Sequence, residues 1–311
     1  MDANKLREEI IARAKNRGAD IVAFGGIDRF EDENILKIYP ETKTVICLAL
    51  RVLRGSYRGV EEGTTYYQYV TTGVEVLEET LLPMILLDVS AAIEDAGCTA
   101  IPQRRNQMLL PDETSVNEEM LHYEGYRGEG EPQMDFAKDA VTCGVGERGL
   151  SGAVLTDDFG PFVRYAFVLT DAVLEETPAF VPHLCDNCGE CVKACPGHAL
   201  SENGEKSGWQ CAAYYRGANI HKNPYMDDTA YENLPNRDDI MEGKADLSQE
   251  EAKEVMDLTY FYPPVKHGYT ASICGRACDR ACYIHLEKEG KLKKKFKLPF
   301  RLREDWSLPK L

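Results

Sequence analysis

One stretch, LCDNCGECVKACPGHAL at residues 184–200, constrains the fold of this chain more than any other feature. It spaces its cysteines as C-x2-C-x2-C-x3-C and follows the last one with proline, which is typical of bacterial [4Fe–4S] ferredoxins. The cysteines are Cys185, Cys188, Cys191 and Cys195. Three thiolates at this spacing can wrap one cubane, and the fourth typically reaches a second cluster. A structural zinc site is the alternative, although zinc sites seldom pack four thiolates so closely before a proline.

A second cluster needs three further thiolates, and the chain offers four downstream: Cys211, Cys274, Cys278 and Cys282. Following the crossed arrangement of two-cluster ferredoxins, we assign Cys185, Cys188, Cys191 and Cys282 to cluster one. Cluster two then takes Cys195, Cys211, Cys274 and Cys278. The second motif is irregular, because its spacing is C-x3-C-x3-C and Tyr283 stands where a proline is usual. A buried helix face of small thiols is the alternative for the last three cysteines.

The composition restricts the classes of function. A net charge of −16 argues against nucleic acid as the main partner, because phosphate binding needs a basic surface. No apolar run approaches the ~20 residues that span a bilayer, and the charged start lacks the apolar region of a signal peptide. Eight of the 11 cysteines fall into cluster spacings rather than a disulfide pattern. These features predict a cytoplasmic protein in a reducing and anaerobic setting, without a membrane partner.

The residues before the cysteine motif predict a mixed α/β core. Periodicity and apolar runs indicate a helix, two strands, a long helix and a short strand, at residues 2–17, 19–24, 44–50, 74–96 and 98–102. The continuous apolar strands suit a sheet covered on both faces, with Cys47 in the core. Pro83 is expected to kink the long helix, and the order helix–glycine–strand suggests half of a βαβ unit. Residues 51–69 look like a loop.

A glycine-rich turn follows a short helix at 135–142 and precedes strands at 153–156 and 163–169. Its candidate cofactor-binding residues are Gly144, Gly146, Arg148, Gly149, Ser151 and Gly152. Glycine lets the backbone come close to a flat or bulky group, although the same residues could simply shape the turn. Further on, the acidic stretch at 219–253 predicts a surface excursion. The basic stretch at 291–303 predicts a solvated arm, with a docking surface for an acidic partner as the alternative.

Two blocks together, GVGERGLSGAVLTDDFGPFVRYAFVLTDAVL and LCDNCGECVKACP, resemble the superfamily of epoxyqueuosine reductases and reductive dehalogenases. Thr170, Asp171 and Leu174 supply the T-D-x-x-L signature of those proteins, and the four downstream cysteines match their second motif. The resemblance implies an α+β fold, in which a nitroreductase-like α/β cobalamin-binding core precedes a ferredoxin-like double-cluster module. The implied domains are 1–178 for the corrinoid and substrate, 179–290 for the clusters with a polar insertion at about 219–256, and 291–311 as a basic tail.

The resemblance also implies a cobalamin-dependent oxidoreductase. A donor such as ferredoxin or flavodoxin would feed two [4Fe–4S] clusters, and a corrinoid beside the glycine-rich turn would reduce a small organic substrate by dehalogenation or deoxygenation. Candidate proton donors are Tyr123 and Tyr126 by position, and Glu129 and Glu131 as acids of raised pKa. The chain reads EGEP at 129–132, without the aspartate-threonine-glycine-proline tetrad of epoxyqueuosine reductases, so tRNA is not the expected substrate.

Two other functions remain open at this stage. The alternative is a ferredoxin-like electron-transfer protein with neither a corrinoid nor a substrate of its own. The long segment before the glycine-rich turn favours the reductase, because a ferredoxin alone needs far fewer residues. A flavin in the same core would rest on fold analogy alone. A homodimer is compatible with each of these functions.

Overall fold

A computed structural model of the chain describes residues 2–64, 66–104, 132–223, 225–226, 229–259 and 272–300. The candidate proton donors Tyr123, Tyr126, Glu129 and Glu131 lie outside the described residues. None of the helices in the described part is long and apolar enough to cross a membrane.

The strands form one four-stranded sheet and one small ribbon. They are β1 Ile21–Gly26, β2 Thr44–Arg51, β3 Ala100–Gln103, β4 Glu147–Arg148, β5 Val154–Leu155 and β6 Val163–Thr170. The large sheet has the order β1-β2-β6-β3 with every neighbouring pair antiparallel, and β4 pairs with β5. The expected βαβ unit is therefore split: β2 and β3 run parallel, but β6 lies between them.

The sheet is covered on both faces, as the apolar strands predicted. Along β2, Ile46 and Leu48 join one buried cluster while Val45 and Cys47 join the other. This alternation follows from the two-residue period of a strand. The first face packs against α1 Ala3–Asn16 and α5 Leu82–Asp95, and the second against α2 Glu33–Ile38 and α6 Phe136–Thr142.

The prediction of a loop at residues 51–69 was wrong. The segment forms α3 Arg54–Glu61 and α4 Tyr66–Val70, which continues through a π-helical stretch, Thr71–Leu81, into α5. Burial of an aromatic and apolar face explains these helices, since Tyr57 and Val60 are three residues apart and almost fully buried. Pro83 lies where the π-helical stretch changes to α5, so the predicted long helix is present and changes its helical type next to this proline.

The remaining helices surround the cysteine motifs. They are α7 Glu190–Lys193, α8 Gly208–Arg216, α9 Arg237–Glu242, α10 Gln249–Leu258 and α11 Ala277–Lys288. The acidic insertion is not a bare surface excursion, because Ile240 and Val255 build a separate apolar core with Trp209 of α8. The sparse apolar residues of the insertion suffice for this because they share the buried faces of α9 and α10.

The C-terminal part of the chain belongs to the main core. Tyr283 and Leu286 of α11 join the same apolar cluster as the sheet residues Ile46 and Leu48. Most of residues 291–300 are exposed, as a solvated segment would be, while Leu292 and Phe300 are buried and anchor this part of the tail to the core.

Candidate functional site

Two separate hollows lie among the cysteines. The first hollow is lined by the thiols of Cys185, Cys188, Cys191 and Cys282, and the second hollow by those of Cys195, Cys211, Cys274 and Cys278. The last cysteine of the first motif therefore faces a different hollow from its three predecessors. The structure groups the eight cysteines as the crossed assignment does, although the two motifs lie far apart in the sequence.

The backbone between Cys185 and Cys191 turns tightly because two of its residues are left-handed. Asn187 has a φ of 58° and Gly189 a φ of 76°. Asparagine and glycine are the residues that adopt this conformation most readily. The sequence C-D-N-C-G-E-C is therefore suited to bring three thiols to one side of a short loop.

A buried carboxylate anchors the start of this loop. Glu147 of β4 is 5% exposed and accepts hydrogen bonds from three successive backbone N–H groups, those of His183 at 2.5 Å, Leu184 at 3.1 Å and Cys185 at 2.5 Å. Sequence reasoning missed Glu147, although it lies inside the glycine-rich turn. These three hydrogen bonds fix the position at which the first ligand loop leaves the core.

The glycine-rich turn also contacts the thiols themselves. The backbone N–H of Leu150 donates to Cys185 Sγ over 3.4 Å, and Ser151 lines both hollows. At the second hollow, the backbone N–H of Ala199 donates to Cys195 Sγ at 3.3 Å and that of Ala277 to Cys274 Sγ at 3.4 Å. Such bonds stabilise negative charge on sulfur. The turn thus forms a wall between the two hollows.

Helix α8 lines the second hollow, and the insertion contacts the chain that leaves the first motif beside it. Buried Gln210 donates to Gly197 O at 2.8 Å and accepts from Leu247 N at 2.9 Å, which ties the exit of the first motif to the insertion. Asn219 Nδ2 donates to Pro196 O at 2.9 Å. These side chains, which no motif predicts, hold the insertion against the backbone that follows Cys195.

Electrostatics at the thiols favour a cationic occupant. Burial raises the pKa of Cys274 to about 11, and it raises the pKa values of Cys278 and Cys282 further. Thiols in such surroundings stay protonated unless positive charge compensates the thiolates, which the iron of a cluster provides. Four thiols around each hollow match the ligand set of a [4Fe–4S] cluster, so the donor set fits two such clusters.

A corrin fits this turn less well. A Cβ at Gly144 would meet the carbonyl of Pro178, and one at Gly146 would meet the carbonyl of Leu155. These glycines are thus required by close packing within the chain. Arg148 is exposed, and Gly149 and Ser151 line the thiol hollows. The residues that the structure describes around the turn do not build a hollow for a macrocycle.

The T-D-x-x-L signature stabilises the end of β6. Thr170 Oγ1 accepts from the N–H of Ala172 at 3.1 Å, and Asp171 accepts from the N–H of Thr99 at 2.8 Å. Leu174 is buried in the main core. Within the described residues these contacts are structural.

Comparison with known proteins finds partial matches to two related groups of reductases. Residues 177–200 match the model of a 4Fe-4S binding domain. An epoxyqueuosine reductase of Listeria monocytogenes is 31% identical over 99 residues, which are 32% of this chain and 24% of that protein. A tetrachloroethene reductive dehalogenase of Desulfitobacterium hafniense is 42% identical over 65 residues, which are 20% of this chain and 12% of that protein. The chain is therefore similar to both groups of the superfamily of epoxyqueuosine reductases and reductive dehalogenases, as the resemblance in its sequence predicted.

A solved reductive dehalogenase shares the fold, so the expected α+β architecture is confirmed. A reductive dehalogenase structure, described as suggesting a mechanism for B12-dependent dehalogenation, superposes with a TM-score of 0.52 and 13% identity over 83% of this chain and 36% of its own. An epoxyqueuosine reductase solved with a modified tRNA stem loop has a TM-score of 0.48 at 16% identity, over 92% of this chain and 83% of its own. The matches to the two curated relatives span less than a quarter of each relative, at 24% and 12%.

Proposed function

We propose that this protein is an iron–sulfur oxidoreductase in which two [4Fe–4S] clusters carry electrons through the chain. The observation that carries the proposal is the sorting of the eight cysteines into two hollows of four, with Cys195 and Cys282 exchanged between the motifs. A zinc site or a helix face of packed thiols gives no reason for such an exchange. Two clusters that share the cysteines of two motifs explain this exchange.

The direction of electron flow follows from exposure. Cys188 at the first hollow is exposed, whereas each of the four cysteines at the second hollow is only partly exposed. We assign electron input to cluster one and electron output to cluster two. Ser151, which lines both hollows, lies between the two clusters.

A corrinoid is the proposed acceptor of these electrons, and a small organic substrate the proposed target. The support is the similarity to the superfamily and the fold shared with the B12-dependent dehalogenation structure. When bound, a corrinoid would supply a strongly reducing cobalt centre for dehalogenation or deoxygenation. Since the described residues around the glycine-rich turn do not fit a macrocycle, no reaction step is assigned to the corrinoid. This chain's own residues would hold the two clusters and bring them together.

The test is anaerobic reconstitution with iron, sulfide and cobalamin, followed by metal analysis and EPR. We expect about eight irons per chain, the content of two [4Fe–4S] clusters. A base-off cob(II)alamin signal that stays with the protein through gel filtration would support the corrinoid reductase. Eight irons without retained cobalamin would favour the ferredoxin-like electron carrier. About four irons would contradict the two-cluster proposal itself.

The substrate class needs a separate arm. The charge of −16 predicts weak binding of nucleic acid, yet a solved epoxyqueuosine reductase of the superfamily holds a tRNA stem loop. We expect no change in the fluorescence anisotropy of a labelled tRNA stem loop at near-physiological salt. Saturable binding that weakens with added salt would overturn this expectation and move the proposed substrate from small organic molecules to tRNA.

A further inference from the structure

The segment at residues 285–300, which lies beside the first hollow, is basic, and two of its lysines pair with aspartates, Lys291 with Asp186 and Lys293 with Asp157. Residues 285–300 contain six lysines and two glutamates, a net charge of +4, within a chain of net charge −16. The remaining residues therefore carry −20. The lysines of this segment, which we call the lysine surface, are Lys288, Lys291, Lys293, Lys294, Lys295 and Lys297.

The lysine surface borders the exposed side of the first hollow. Helix α11 carries Cys282 and ends at Lys288, and Lys291 Nζ lies 2.8 Å from Asp186 Oδ2. The ligating atoms of Asp186, Cys188 and His285 all lie within 4.8 Å of one another. The lysines thus begin one side chain away from the exposed thiol of Cys188.

Apolar side chains are exposed within the same segment. Phe296 is 45% exposed and Leu298 is 64% exposed. Arg54 holds them in place, because its guanidinium lies 4.2 Å from the centroid of the Phe296 ring and donates to Leu298 O at 2.9 Å. Apolar residues surrounded by lysines give a surface that can both attract and bind a protein of opposite charge.

We propose that the lysine surface is the docking site for an acidic electron-carrier protein that reduces cluster one. The proposal rests on the proposed function, because it requires that cluster one receives the electrons. An acidic carrier is attracted to this surface, whereas the rest of the chain, with a net charge of −20, repels it. Docking here brings the carrier's redox centre to the exposed edge of the first hollow, at Cys188.

The test compares two triple charge reversals of equal net effect. K288E/K295E/K297E alters exposed residues of the lysine surface, whereas K5E/K37E/K43E alters exposed lysines outside this segment. Both are reconstituted to the same iron content. Reduction of the clusters is followed by stopped-flow absorbance with reduced flavodoxin, an acidic carrier, and with photoreduced 5-deazariboflavin, a neutral small molecule. The first variant should react with flavodoxin about ten-fold more slowly at low ionic strength, because steering changes association rates by 10-fold or more.

High salt should remove the difference, since it screens the charges. Deazaflavin should reduce both variants and the parent protein equally fast. Equal flavodoxin rates in the two variants, with normal deazaflavin reduction, would overturn the docking proposal and leave the proposed function standing. Failure of deazaflavin to reduce either cluster would instead overturn the proposed function. Salt-sensitive binding of anionic vesicles or tRNA that only the first variant loses, with unchanged flavodoxin rates, would assign the surface to a polyanion and also overturn docking.

Discussion

The two hollows use the same ligand type in different surroundings. The first has an exposed thiol, Cys188, at its rim and lies beside the lysine surface. The second has four partly exposed cysteines, and the insertion contacts the backbone at Pro196 beside it. A protein that only needed to hold iron would gain nothing from this asymmetry. An exposed input and a less exposed output suit directional electron transfer, because the less exposed cluster then reacts more readily with what reaches it from within.

The strongest test of this comparison removes one cysteine from each hollow, chosen so that its motif supplies mainly the other hollow. Cys282→Ala should abolish cluster one and Cys195→Ala cluster two, although each residue belongs to the motif that supplies mainly the other cluster. Each variant should lose about half of its iron and keep one EPR species. Cys47→Ser, in the buried core of β2, should keep both clusters. Loss of the same EPR species in both cysteine variants would contradict the crossed arrangement.

The second hollow should also depend on a buried ion pair with the sheet-bearing part of the chain. Arg280 pairs with Glu61 of α3 and donates to the carbonyls of Cys274 at 2.8 Å and Gly275 at 3.0 Å. Arg280→Met deprives the 3%-exposed Glu61 of this cation and should lower the free energy of unfolding by about 3–5 kcal/mol. Denaturant titration under anaerobic conditions measures it, with iron release from cluster two as a second readout.

Adding Glu61→Gln to Arg280→Met is the matched control. The double variant no longer buries an uncompensated charge, so it should recover a large part of the lost stability. If the double variant is as unstable as Arg280→Met, the packing and hydrogen bonds of the Arg280 side chain, rather than its ion pair with Glu61, hold α11 in place.

This difference in exposure predicts different rates of cluster loss. A bulky iron chelator should remove iron from cluster one roughly ten-fold faster than from cluster two. If the insertion must open first, an opening free energy of only ~1.4 kcal/mol accounts for this factor of ten. Gly243→Ala should narrow this gap, because its Cβ would meet the carbonyl of Pro196 where the insertion contacts the cluster motif. The readout is EPR of the remaining clusters against time.

Gly290→Ala provides the control for backbone strain. Its φ of 70° is close to the 78° of Gly243, but nothing lies within 4 Å of its added Cβ. It should leave the two rates unchanged. A similar narrowing in both variants would mean that strain, rather than contact between the insertion and the motif, governs access to cluster two.

The smallest expected effect tests the wall between the hollows. Leu150 occupies the second position of a turn closed by the bond from Gly152 N to Gly149 O, a position that proline favours. Leu150→Pro removes the N–H that reaches Cys185 Sγ and should lower the potential of cluster one by roughly 40 mV, equivalent to about 1 kcal/mol for one electron. Leu150→Ala keeps the N–H and should shift the potential of cluster one far less. Redox titration by EPR separates the clusters, and equal shifts in both variants would assign the effect to the side chain.

Local sequence patterns predicted the parts of this protein whose conformation depends only on residues that are close in the sequence. The spacing of Cys185, Cys188 and Cys191 and the left-handed residues between them define one ligand loop, and the apolar run at 44–50 defined a strand buried on both faces. The helices at 54–70 escaped prediction because glycines masked an apolar face that only packing against the sheet stabilises. The glycine-rich turn was expected to lie against a corrin, and that expectation remains a prediction, but the structure places it against the thiols.

The sequence by itself determined which residues can bind iron, because ligand chemistry and loop spacing are local properties. It also determined the alternation of buried residues along β2. Only the tertiary structure decided that Glu147 holds the first ligand loop, that Gln210 ties the insertion to the exit of the first motif and that the lysine surface lies beside Cys188. Each of these depends on contacts between residues more than ten positions apart, which the burial of apolar surface brings together and which no local pattern records.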